Sequence, residues 1–183
     1  TMKILVTGGA GFIGSNLIIE LQKRFPSAGI TVLDNFSSGS ENTLKTFRGE
    51  RIHGSVEDKK LVESLTGKGF DSIYHLAAIT DTTVSEADGM MRVNVDGFKN
   101  ILKIAEQTKA HIIYASSAGV YGNGPVPMKE SQTLSPLNAY ALSKVRMEKE
   151  AASTTNPMAI GLRYFNVYGP GESNKGNSAS MIW

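Results

Sequence analysis

Tyr140 and Lys144, in "NAYALSKVRME", lie four residues apart where apolar spacing predicts a helix over 139–153, so both side chains share one face, a turn apart. A phenol ordinarily gives up its proton at about pH 10. An ammonium beside it favours the phenolate, and such a pair can act as a general base near neutral pH. The stretch "YASSAGVYG" adds two hydroxyls, Ser116 and Ser117, directly after an apolar run. In an open parallel sheet, ligands bind beyond the carboxyl ends of the strands, so a hydroxyl there can hydrogen-bond an oxygen that passes between alcohol and carbonyl. Tyrosine–lysine pairs on half-exposed helix faces and serines at strand ends are also ordinary. Their chemical meaning depends on a carrier for the hydride that such a reaction moves.

The sequence offers that carrier a seat near its start. "VTGGAGFIGSNL" (6–17) sets Gly8, Gly11 and Gly14 three apart, between an apolar run and an apolar-periodic segment. Bare backbone at a strand-to-helix turn lets a pyrophosphate reach the helix amino terminus. A glycine-rich turn also serves simply to reverse a chain. Further on, "ITVLDN" ends in Asp34, where a dinucleotide site carries an acid for the ribose 2′-hydroxyl, although an aspartate there can equally open an Asx turn. A carboxylate at this point repels a 2′-phosphate, and no lysine or arginine lies between Asp34 and Glu41. The expected cofactor is NAD in preference to NADP.

These residues need a scaffold, and the alternation of the chain provides one. Apolar runs at 3–7, 30–34, 72–78, 111–117 and 158–166 read as buried strands, with a shorter run at 51–55. Helical spacing recurs at 12–24, 57–66, 85–108 and 139–153. Strand followed by helix, repeated, calls for an α/β fold: a doubly wound parallel sheet with helices on both faces. The stripe Val95, Phe98, Ile101, Leu102 and Ala105 suits either a core face or pairing into a homo-oligomer. Polar loops fall at 35–42, 122–127 and 169–178.

Composition narrows the partners. The 183 residues are 40% hydrophobic with a net charge of +2, and the cations are interspersed with acids, so no nucleic-acid footprint appears. The absence of cysteine excludes disulfides, zinc–thiolate sites and a thiol nucleophile, and His53, His75 and His111 lack ligand spacing, so no metal is expected. "TMKILVTGG" is too short an apolar run for a signal-peptide core or a membrane span, which predicts a cytoplasmic protein away from membranes.

The glycine stretch, Asp34, "HLAA" (75–78), "NVDG" (94–97), "YASSAGVYG", "YALSK" (140–144) and "LRYFNVYGPG" (162–171) together resemble the extended short-chain dehydrogenase/reductase family of NAD-dependent sugar-nucleotide epimerases and dehydratases. That resemblance covers essentially the whole chain and implies a Rossmann fold. It implies that Tyr140 is the catalytic base, that Lys144 lowers its pKa and holds the nicotinamide ribose, and that Ser117 binds the reacting oxygen. It also implies cofactor contacts from Gly8, Gly11, Phe12, Ile13, Gly14, Asp34, Asn35, Val56, Leu76, Ala77, Ala78, Asn94 and Tyr164. Thr80, Ser116 and Asn166 would meet the nucleotide-sugar substrate beside Ser117.

Dehydratases of this family carry an Asp-Glu pair after the serine, where this chain has Ala118 and Gly119, which points to epimerisation. "DTTVSEADGMM" (81–91) and "RYFNVYGPGESNKGNSAS" (163–180) resemble the ADP-glyceromanno-heptose 6-epimerase branch, and by that resemblance Lys175 would work on the opposite face of the substrate carbon from Tyr140. Two departures stand out. Glu41 lies in the region where that branch carries a lysine suited to NADP, and Ser55-Val56 replaces the family's Asp-Ile/Val at the adenine. The expected organisation is a dinucleotide-binding domain over 2–168 and, over 169–183, the truncated start of a smaller substrate domain that is largely absent from this chain. UDP-hexose 4-epimerisation and a cofactor-binding module without turnover are the rival readings.

Overall fold

The computed structural model of the chain describes residues 1–81, 87–154 and 159–172. Six strands, β1 (Lys3–Thr7), β2 (Gly29–Asp34), β3 (Glu50–His53), β4 (Ser72–His75), β5 (His111–Ser117) and β6 (Ala159–Tyr164), form one sheet in the order β3-β2-β1-β4-β5-β6. Every pairing is parallel. Parallel neighbours need long crossovers, and these contain α1 (Phe12–Arg24), α2 (Lys59–Ser64), α3 (Ala87–Met91), α4 (Gly97–Thr108) and α5 (Ala139–Ser153).

The strands read as continuous apolar runs because the sheet buries both faces. On one face Ile4, Val6, Ile30 and Val32 meet Ile18 and Leu21 of α1. On the other, Leu5, Leu33, Ile73 and Ile112 meet Phe98, Ile101 and Ala105 of α4 and Met147 and Ala151 of α5. The apolar stripe of α4 therefore goes into the core rather than to a pairing surface. This is the expected doubly wound sheet, in the strand order of dinucleotide-binding folds. The chain runs outward from β1 to β3, then crosses to β4 on the other side of β1, which opens a crevice at the carboxyl ends of β1 and β4.

Element boundaries differ from expectation in two places that matter. The strand expected over 72–78 stops at His75, because its neighbour β1 ends at Thr7 and turns away through Gly8. The single helix expected over 85–108 is interrupted by a π-helical turn, Arg92–Asp96, between α3 and α4. One extra residue in a turn re-aims the side chains on it, and such turns gather at functional sites. This one holds Asn94.

Candidate active site

The glycine turn between β1 and α1 shows why each glycine is bare. Gly8 has φ +71, and a Cβ there would come within 2.6 Å of the Ala77 nitrogen beyond β4. A Cβ on Gly14 would come within 2.1 Å of the Gly8 carbonyl oxygen. These two glycines serve internal packing. Gly11 is different: among the described residues an added carbon would meet only the Gly8 oxygen, at 3.4 Å. Gly11 caps α1 with no side-chain hydrogen bond, and the first turn holds no acid. A helix amino terminus that starts on a glycine and carries no acid in its first turn fits the diphosphate of a dinucleotide.

Asp34, 8% exposed, couples the end of β2 to that turn. One carboxylate oxygen accepts the Ala10 N–H at 2.8 Å and the other accepts the Phe36 N–H at 2.8 Å. Its carboxylate thus shapes the glycine turn and also opens the Asx turn. Asn35 is exposed beside it, its side-chain oxygen accepting the Ser37 N–H. Val56, an expected adenine contact, has its side chain 3% exposed and packed in the main core, where a Cβ on Gly97 would strike it at 2.5 Å, so only its backbone could face a ligand. Asn100 on α4 donates to the Val56 carbonyl at 2.9 Å, which fixes this turn beneath the helix.

Asn138 starts α5 by accepting the Ala141 N–H on its side chain at 2.8 Å. Tyr140 therefore sits in the first turn, and Lys144 follows one turn later. Lys144 is 1% exposed, its ammonium donates to the Ala115 carbonyl at 2.8 Å, and it lies 5.6 Å from the centre of the Tyr140 ring. Burial lowers the Lys144 pKa to about 8. Burial raises the phenol of Tyr140 above its ordinary value, and the Ser117 hydroxyl near it pulls it part of the way back. Ser117 also accepts the Gly119 N–H at 3.1 Å. In the protein by itself the Lys144 ammonium donates to Ala115, and burial is the largest influence on the Tyr140 phenol.

Asn94, fully buried, accepts the Ile79 N–H at 2.8 Å and donates to the Ile79 carbonyl and to Ser143, each at 3.0 Å. Ser143 in turn donates to the Tyr140 carbonyl at 2.6 Å. Asn94 thereby joins the segment after β4 to the first turn of α5. Below it, the Thr7 hydroxyl and His75 Nδ1 are 2.9 Å apart, and Thr7 accepts the Ala77 N–H at 3.3 Å. Burial, reinforced by the charge of Lys144, lowers the His75 pKa to about 3, so this histidine is neutral.

The remaining expected residues lie around this centre with differing exposure. Phe12, Ile13, Leu76, Ala77 and Ala78 are half-buried at the ends of α1 and β4, and Thr80 and Asn166 are exposed. Tyr164, half-buried, stands opposite Ser117 in the β5–β6 register. Ser116 is corrected: it is 2% exposed, and its hydroxyl donates to Glu148 at 2.5 Å, on the sheet face opposite to that of Ser117. Lys175 lies outside the described residues. After β6 the chain returns across α1, where Asn16 donates to the Pro170 carbonyl at 3.0 Å and to the Phe12 carbonyl at 2.9 Å.

Sequence reasoning missed Ser143, His75, Glu148 and Arg163. Ser143 had a signal, since serine is a weak helix former and this one lies inside α5 between Tyr140 and Lys144. Glu148 had one too, continuing the four-residue spacing by one more turn. Among the described residues no acidic or histidine cluster could hold a metal ion, and no helix is long and apolar enough to cross a membrane.

Residues 4–183 match the NAD dependent epimerase/dehydratase family. An ADP-L-glycero-D-manno-heptose-6-epimerase of Brachyspira hyodysenteriae is 37% identical over 98% of this chain and 59% of its own. The crystal structure of the Helicobacter pylori enzyme of the same name aligns with 100% of this chain and 61% of its own, at 42% identity and a TM-score of 0.94. A Thermotoga maritima UDP-glucose 4-epimerase, crystallised with UDP-glucose, is 31% identical and aligns at a TM-score of 0.86 over 93% of this chain and 58% of its own. The chain thus spans about three fifths of the length of the relatives it matches.

Proposed function

The chain belongs to the NAD dependent epimerase/dehydratase family, and from that premise we propose that it is the dinucleotide-binding part of a nucleotide-sugar epimerase, an isomerase acting on an ADP-heptose at C6 in the cytoplasm. The observation that carries this reading is the meeting of Ser117, Tyr140 and Lys144 at the carboxyl end of β5, two strands from an open glycine turn. The match to 6-epimerases over nearly the whole chain favours that substrate.

The glycine turn and the amino terminus of α1 would hold the diphosphate of NAD, and Lys144 its nicotinamide ribose. When bound, the oxidised cofactor supplies a positively charged hydride acceptor that later returns the hydride. Tyr140 takes the proton of the sugar hydroxyl as the carbon loses hydride, which leaves a ketone. Ser117 donates a hydrogen bond to the oxygen throughout, and Tyr140 is placed to return the proton once hydride has come back on the other face. Atoms and electrons balance, and only the configuration of one carbon changes. Burial holds the Tyr140 phenol above its ordinary value in the protein by itself, and a positive charge bound beside it, with Lys144, would favour its loss of the proton.

The test is to incubate the full-length protein with NAD and either ADP-heptose or UDP-glucose and to follow the inverted carbon by proton NMR. Inversion at C6 of the heptose is expected. Product from UDP-glucose alone would replace this reading with 4-epimerisation, and no product from either, with NAD bound, would reduce the protein to a cofactor-binding module.

A further inference from the structure

α5 grips β5 at three successive turns. Tyr140 stands near Ser117, Lys144 donates to the Ala115 carbonyl, and Glu148, another four residues on, accepts the Ser116 hydroxyl at 2.5 Å. Glu148 also binds β6: Arg163 donates from Nε to one carboxylate oxygen at 2.9 Å and from Nη2 to the other at 2.7 Å. Arg163 is itself fixed by a bond to the Glu130 carbonyl at 3.1 Å and lies 4.9 Å over the Tyr121 ring. Ser116 stands opposite Arg163 in the β5–β6 register, and Ser117 stands opposite Tyr164. One carboxylate therefore holds a helix and two strands together one residue short of the reacting hydroxyls.

We propose that Glu148 is a positioning residue for catalysis, setting the rotation of α5 against β5 and β6 so that Tyr140 and Ser117 meet in reacting geometry. This rests on the reading of Ser117 and Tyr140 as the proton-handling pair. Attachment of α5 to the sheet does not require Glu148, since Met147 and Ala151 already anchor the helix in the main core. What the carboxylate adds is direction: two parallel N–H bonds from a guanidinium and one from a hydroxyl fix its orientation, as apolar contact cannot. The side chains are only 18% and 17% exposed, so the pair is poorly screened by water. Burial raises the Glu148 carboxyl, and the bonds from Arg163 and Ser116 more than offset this, so it stays ionised.

The experiment compares E148Q, S116A and a remote core variant, V62A, in the full-length protein. Two readouts are taken: the titration of the Tyr140 phenol, isolated as the absorbance difference from Y140F, and the rate at which nucleotide-sugar reduces bound NAD. Among the described residues, Lys144 on its own helix lies against that ring, His75 of β4 feels Lys144, and Tyr164 of β6 stands opposite Ser117. If Glu148 positions the pair, E148Q moves Ser117 away from Tyr140, shifts the phenol titration upward by about half a pH unit or more, and slows NAD reduction by about tenfold at saturating sugar. S116A moves both in the same direction by less, and V62A lowers the melting temperature without moving either. A phenol titration unchanged in E148Q overturns the proposal; if E148Q does not fold, an unchanged S116A does so. Should the wild-type protein reduce no NAD while E148Q or S116A still shifts the phenol, the positioning role stands and the epimerase reading falls.

Discussion

A lysine whose ammonium is almost wholly withdrawn from water works against the fold that holds it, and Lys144 is such a residue. Its pKa of about 8 in the fold lies below the ordinary 10.5, so below pH 8 the unfolded chain holds this proton more firmly than the native one does. Stability contributed at this site rises as pH climbs from about 8 through 10.5 and is lowest below that window. K144M should therefore be the more stable apo protein at pH 7, by about 2 kcal/mol once the lost bond to Ala115 offsets part of the relief. The gap should close by pH 10. Urea unfolding at the two pH values checks this, and a K144M midpoint at or below wild type at pH 7 would contradict it. The same variant should lose turnover, as should Y140F, by about a hundredfold or more in the rate of NAD reduction. Y140F should bind NADH within a few-fold of wild type, since the phenol is asked to move a proton and not to hold the diphosphate.

At the scale of elements, the glycine turn separates packing from binding. G14A forces a carbon against the Gly8 carbonyl, and G8A combines a left-handed φ with a clash on Ala77, so both should lower the melting temperature by several degrees. Among the described residues the carbon added by G11A meets only the Gly8 oxygen, and Gly11 has an ordinary φ of −75. It should melt within about two degrees of wild type yet lose NADH affinity by about tenfold or more, measured by fluorescence titration. A G11A protein that binds normally would remove the diphosphate from this turn. The fold itself was legible in the sequence because strands buried on both faces carry unbroken apolar runs, and helices between them keep their spacing. Two details were not. Which of two adjacent serines faces the site depends on strand parity, and a one-residue slip reverses it. The π turn adds a residue that helical spacing conceals, so Asn94 could be placed by resemblance but its partners Ile79 and Ser143 could not.

At the scale of the whole molecule, His75 ties the centre of the sheet to acid stability. Held neutral at a pKa of about 3 against an ordinary 6.5, it leaves the unfolded chain the better proton binder between those values. Stability should therefore fall as pH drops from about 6.5 toward 3, by about 1.4 kcal/mol per pH unit from this group. H75Q, which keeps an acceptor near Thr7, should flatten that slope in urea unfolding between pH 6.5 and 4.5. An unchanged slope would mean that other groups govern acid unfolding. The strand order has its own consequence for function, since it brings Gly8, Ala77 and Ser117, from distant parts of the chain, to one end of a single sheet.

The bond from Asn16 to the Pro170 carbonyl sets a schedule for synthesis. A chain leaving the ribosome exposes its glycine turn first, but the segment that crosses α1 is among the last described residues to be translated. A nascent polypeptide halted after β5 would carry the glycine turn and α1 without the segment that Asn16 holds.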